Sequence, residues 1–151
     1  MEFGWINLFG GIIVILILIP NIVYALKNQV HENDEKSIPN ILQICEQIGR
    51  YSCIILMWLP LLVWKFGFGS SEELLLYLLL NGIIILAYYF VWICYSKSPV
   101  LKSGMALAII PAVVFLTSGL FLHHWLLVAA SVLFGISHGW ITYITHSEKE
   151  N

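Results

Sequence analysis

Gln43, Glu46, Gln47 and Arg50 sit at i, i+3, i+4 and i+7 near the start of an apolar segment. On a helix that spacing brings all four to one face. Glu46 and Arg50 are also an i,i+4 pair of opposite charge, close enough along a helix to meet. A charge at the bilayer centre costs about 2.5–3.5 kcal/mol on insertion scales, so ionisable groups inside a membrane point to function by default. Three readings stand. The pair belongs to a pocket for a small molecule or ion, it is a structural ion pair that orients its helix, or the stretch is an amphipathic turn at the membrane interface.

Length decides where this face lies. The clean apolar run Tyr51–Trp64 rises only about 21 Å at about 1.5 Å per residue. The hydrocarbon layer is about 30 Å thick. A span here must recruit Cys45 through Arg50, because the other direction offers only Lys65, Gly67 and Gly69. Glu46 and Arg50 are therefore expected in the cytoplasmic half of the membrane, paired and facing the bundle.

Other segments bring polar groups to the same level. Pro20 has no amide donor and leaves the carbonyl four residues earlier without its usual partner. Asn21 either satisfies that freed backbone or faces a ligand. His138 lies in the last apolar segment and either bonds a neighbouring helix or joins the site. The expected pocket is Asn21, Glu46, Gln47, Arg50 and His138, open to the cytoplasm. Ser131, Gly135 and Gly139 recur every four residues beside His138, and Gly104, Ala108 and Ala112 repeat the spacing one segment earlier. Small-xxx-small faces let helix backbones approach closely in lipid. They pack together, or one of them serves a partner.

Several chemistries are excluded. There is no Gly-x-x-x-x-Gly-Lys-Ser/Thr, no His-Glu-x-x-His and no Gly-x-Ser-x-Gly. Asp34 is the sole aspartate, so a metal site rich in aspartate is impossible. His31, Glu32, Asp34 and Glu35 lack the ligand register of a calcium loop. Cys45, Cys53 and Cys94 form no Cys-x-x-Cys and read as free, structural thiols. His123-His124-Trp125 reads as an interfacial anchor, and Asn81 as a bond to a neighbouring helix. No metal and no cofactor is expected.

The elements that position these residues are five apolar segments, about 5–26, 41–64, 74–95, 105–122 and 125–144. The chain has 151 residues, 60% hydrophobic and 11% charged, with a mean hydropathy of +0.88. Soluble domains are about 25% charged. The fold is expected to be all-α: one polytopic membrane domain, a five-helix transmembrane bundle covering residues 1–151. Lys27, Lys36, Lys97, Lys102 and Lys149 fall on one side of these spans, with Arg50 near them, and only Lys65 falls on the other. Basic loops face the cytoplasm, which gives an N-out, C-in orientation in the cell membrane. The net charge of −2 and the placement of the basic residues give no reason to expect nucleic acid. Met1-Glu2 offers no basic n-region for a cleaved signal. Ser37 and Pro39 read as the start of the second helix, and Glu72 and Glu73 as the acidic start of the third.

The stretches IPNIVYA, EQIGRY, KSGMALAIIP and LHHWLLVAASVLFGISHGWITY resemble those of small, uncharacterised multi-span membrane proteins of Gram-positive bacteria. The resemblance covers most of the chain and implies a bacterial multi-pass protein. It implies no site and no substrate. The function expected is binding or transport of a small molecule or ion through the polar pocket. Transport would call for a homodimer, because five short helices enclose little volume. The alternative is an accessory role, packing through the fourth and fifth helices onto a partner membrane subunit. A lipid-modifying enzyme with Glu46 or His138 as general base comes third.

Overall fold

A computed structural model describes residues 6–27, 38–59, 61–63 and 67–149, with the backbone alone for Lys27, Glu148 and Lys149. The described residues form five helices and no strand: α1 (Leu8–Lys27), α2 (Asn40–Trp58), α3 (Ser71–Lys97), α4 (Leu101–Phe121) and α5 (Trp125–Lys149). By length and composition α1, α3, α4 and α5 can each cross a membrane. The chain is an all-α, multi-pass membrane protein. Trp5, His31, Glu32, Asp34, Glu35, Lys36, Ser37, Trp64 and Lys65 lie outside the described residues.

Helix ends follow local chemistry. α2 stops at Trp58 rather than at Trp64. Leu59 is extended, with φ −115° and ψ 126°, as a residue before proline tends to be, and Pro60 follows it. α3 starts at Ser71, ahead of the expected Leu74. Its cap is Ser70, whose Oγ accepts the Glu73 amide at 3.1 Å, while the Glu73 carboxylate accepts the Gly69 amide at 2.6 Å. This reciprocal use of two orphan amides resembles a capping box. α4 begins at Leu101 rather than Met105, and α5 continues past Ile144 to Lys149.

The α4–α5 turn is tight, as expected. His123 takes the left-handed region at φ 52°. His124 is fully buried rather than an interfacial anchor, and its Nδ1 accepts the Leu127 amide at 3.2 Å. It thus satisfies an orphan donor in the first turn of α5. Burial holds its imidazole pKa below the ordinary value, against the opposing effect of the Leu59 carbonyl.

The helices close into a ring in the order α1, α2, α5, α4, α3 and back to α1. Contacts are most extensive between α4 and α5 and between α2 and α5, and lightest where α1 meets α2 and α3. Neighbours run antiparallel except α1 and α3, which run parallel. Asn81 bonds within and across this ring: its Nδ2 donates to the Tyr77 carbonyl at 2.9 Å, and its Oδ1 accepts from Ser118 at 3.4 Å. All three cysteines are free thiols.

Pro20 shows how the lightly held α1 is tied. The carbonyl it leaves without an amide partner is that of Leu16. Tyr89 of α3 donates its hydroxyl to that carbonyl at 2.8 Å. Asn21 is not the group that satisfies it.

Candidate functional site

Asn21 instead donates Nδ2 to the Ile17 carbonyl at 2.9 Å and to the Tyr88 hydroxyl at 2.8 Å. It joins α1 to α3 and lines a cavity inside the ring.

That cavity has a volume of about 150 Å³. Four of the five helices line it. Ile17, Ile54, Leu107, Phe115 and Phe134 supply apolar wall, and Asn21, Arg50 and His138 supply the polar groups. Pro111, near the middle of α4, adds one more feature. It has no amide for the Leu107 carbonyl, and both residues line the cavity.

Glu46 stands behind Arg50 and His138. It is 5% exposed. Its Oε1 accepts from Arg50 Nη2, as the i,i+4 spacing anticipates. The same oxygen lies 3.1 Å from His138 Nδ1. The imidazole is poorly aligned for a hydrogen bond to it, so the two groups are close without being bonded. His138 stacks on Phe134 with ring centroids 5.0 Å apart and planes inclined by 21°. One buried carboxylate oxygen therefore faces two basic groups from two helices.

Along α2 the pair lies well inside the helix. At about 1.5 Å per residue, Glu46 is about 9 Å and Arg50 about 15 Å from the start at Asn40.

Asn21, Glu46, Arg50 and His138 meet around one cavity. Gln47 does not join them. It follows Glu46 by one residue, which turns it about 100° around the helix, and it is exposed. Gln43 is half-buried and donates to the Ile38 carbonyl at 3.4 Å, which serves the start of α2 rather than the cavity.

Two contributors escaped the sequence reading. Gly49 lets α2 lie against the backbone of α5 at Phe134. Its signal was a glycine inside a helix between two charged residues, where it usually has a packing reason. Tyr88 and Tyr89 anchor α1 through their hydroxyls, and adjacent tyrosines in an apolar span were the available cue.

The small faces of α4 and α5 meet within the hairpin. A Cβ on Gly135 would lie 3.0 Å from the Ala112 Cβ, and one on Gly139 would lie 4.0 Å from Met105 Cε. Ser131 is buried and donates to the Val128 carbonyl at 2.7 Å. Among the described residues no group of three or more His, Cys, Asp or Glu could hold a metal ion. No protein-family model, no curated protein and no solved structure matches this chain.

Proposed function

We propose that the protein binds a compact, amphipathic anion in the cavity inside its helix ring and serves in transport of that molecule. The observation that carries this is the cavity itself: an apolar chamber of about 150 Å³ with Arg50, His138 and Asn21 on its wall. An apolar cavity of about 150 Å³ accommodates a benzene-sized molecule. A guanidinium at its edge favours a carboxylate or similar oxyanion, which it can grip by paired N–H donors.

The same proposal includes the setting. Five spans cross the cell membrane, N-out and C-in, with α2 as the fifth. Glu46 of its polar face is buried, Arg50 lines the cavity, and its 19 residues rise about 28 Å. Lys97 and Lys102, at the end of α3 and the start of α4, support a cytoplasmic α3–α4 loop. The accessory reading loses its best surface, because Gly104, Ala108 and Ala112 are buried against α5.

The test is calorimetric titration of the purified protein in detergent with benzoate and, separately, benzylamine. Benzoate should bind, and benzylamine should bind at least tenfold more weakly. Ile54→Phe adds bulk to the cavity wall while leaving Glu46, Arg50 and His138 in the chain, and should abolish benzoate binding while the helical signal persists. Equal affinity for the two probes, or unchanged benzoate binding in Ile54→Phe, refutes the anion site.

A further inference from the structure

The arrangement of Glu46 between Arg50 and His138 carries a consequence for charge. Glu46 and Arg50 neutralise each other through direct contact. A carboxylate entering the chamber must take donors from Arg50, the one permanently cationic side chain among the described residues of its wall. It then leaves two negative charges, its own and that of Glu46, facing one guanidinium. In an apolar interior an unpaired charge is far more costly than in water. The structure offers one remedy within reach: Glu46 Oε1, the atom held by Arg50, is also the atom 3.1 Å from His138 Nδ1.

We infer that ligand binding is coupled to the uptake of one proton, with Glu46 exchanging Arg50 for a protonated His138 as the anion takes Arg50. This rests on the anion-binding reading above and adds its regulation. The exchange is balanced. One anion and one proton enter from solvent, the proton goes to the imidazole, no covalent bond to carbon changes, and the net charge of the cluster stays the same. The cluster is electroneutral in both states, so neither state holds an uncompensated charge in the apolar interior.

Glu46 is the other group that could take the proton, and the His138→Gln variant below separates the two; among the described residues no further titratable side chain reaches this cluster. α2 presents Glu46 and Arg50 to His138. α4 carries one titratable residue, Lys102, in its first turn and exposed. α1 presents Asn21, and α3 reaches the cavity only as Tyr88 through Asn21. On α5 itself, His146 lies two turns beyond His138 and is engaged with Tyr95 and the Thr142 carbonyl.

The test is benzoate titration of the purified protein at several values between pH 6.5 and 8.5, where this carboxylate stays ionised. One proton per anion makes the affinity fall about tenfold per pH unit at the alkaline end, by linkage. A pH electrode in weakly buffered solution at pH 8 should record close to one proton taken up per benzoate bound. In His138→Gln, whose amide can still reach Glu46 but cannot take up a proton, the pH dependence and the proton uptake should both vanish. Benzoate binding in the native protein with no pH dependence overturns the coupling and leaves the anion site standing. The same pH slope in His138→Gln overturns the assignment to His138. Absence of benzoate binding at every pH overturns both the coupling and the site.

Discussion

Gly49 and Phe134 bring α2 and α5 into backbone contact: a Cβ on Gly49 would lie 2.8 Å from the Phe134 nitrogen and 2.9 Å from its Cα. The charge cluster follows from this contact. Glu46 lies about one turn before Gly49, and His138 about one turn after Phe134. The two helices run antiparallel, so those steps lead to the same level, where Glu46 and His138 meet. Gly49→Ala should therefore force the helices apart and cost about 1–3 kcal/mol, the usual range for overpacking. Gly82 is the control, because nothing lies within 4 Å of its added Cβ. Gly82→Ala should be neutral or stabilising by up to about 1 kcal/mol through helix propensity. Thermal unfolding in detergent compares the two, and equal behaviour would contradict the close approach at Phe134.

The hairpin face makes a graded prediction. Gly135 faces Ala112 at 3.0 Å, whereas Gly139 has room up to Met105 Cε at 4.0 Å. Gly135→Leu should lower the unfolding temperature markedly, and Gly139→Ala should leave it near the wild-type value. A reversed order would mean that α4 and α5 pack in a different register.

The polar face of α2, the tight α4–α5 turn and the small faces were all legible from spacing, because helical periodicity alone determines which residues share a side. Gln47 departs from the expected pocket for the same reason. A four-residue stripe is wide, and only the packing of α2 on α5 decides that Glu46 points inward while its neighbour is exposed. The end of α2 differs from the apolar pattern because backbone chemistry outweighs hydrophobicity there. The run to Trp64 is apolar, yet Pro60 denies the helical conformation to Leu59. The link between α1 and the rest of the ring was not legible at all. It depends on which of two adjacent tyrosines meets the Leu16 carbonyl and which meets Asn21, a matter of relative helix height.

His124 predicts a pH dependence at the α4–α5 turn. Its Nδ1 accepts the Leu127 amide, so the neutral ring is the capping form. Burial lowers its folded pKa below the ordinary histidine value of about 6.5. A depressed folded pKa gives stability that is present above the unfolded value and lost as the pH falls through the folded one. His124→Asn keeps a capping side chain that does not titrate. Subtracting its unfolding temperatures from those of the wild type between pH 8 and 5 should leave a curve flat above about pH 6.5 and falling below it. A flat difference throughout would show that the ring does not cap α5.

Topology has its own readout. The lysine distribution predicts that a reporter fused at Asn151 faces the cytoplasm and one inserted at Gly69 faces the exterior. A cytoplasmic signal at Gly69 would remove α2 from the set of spans or invert the bundle, and with it the direction from which a ligand enters.

Glu46 and Arg50 give the sharpest energetic test, because the two partners are unequally buried. The Glu46 side chain is 6% exposed and that of Arg50 is 44%. Removing one partner of a buried pair typically costs about 3–5 kcal/mol, while replacing both with apolar residues is often neutral or stabilising. Arg50→Leu leaves the buried carboxylate with His138 as its one basic neighbour in the site and should show the larger loss. Glu46→Leu leaves a guanidinium that can turn toward the cavity, so its loss should be smaller. The double Leu variant should regain much of the lost stability and still fail to bind benzoate. A double-mutant cycle on thermal stability in detergent measures the coupling directly. An exposed pair would give only about 0–1 kcal/mol; a coupling in that range, with equal losses in the two single variants, would place the pair at the surface and leave the cavity without its charged wall.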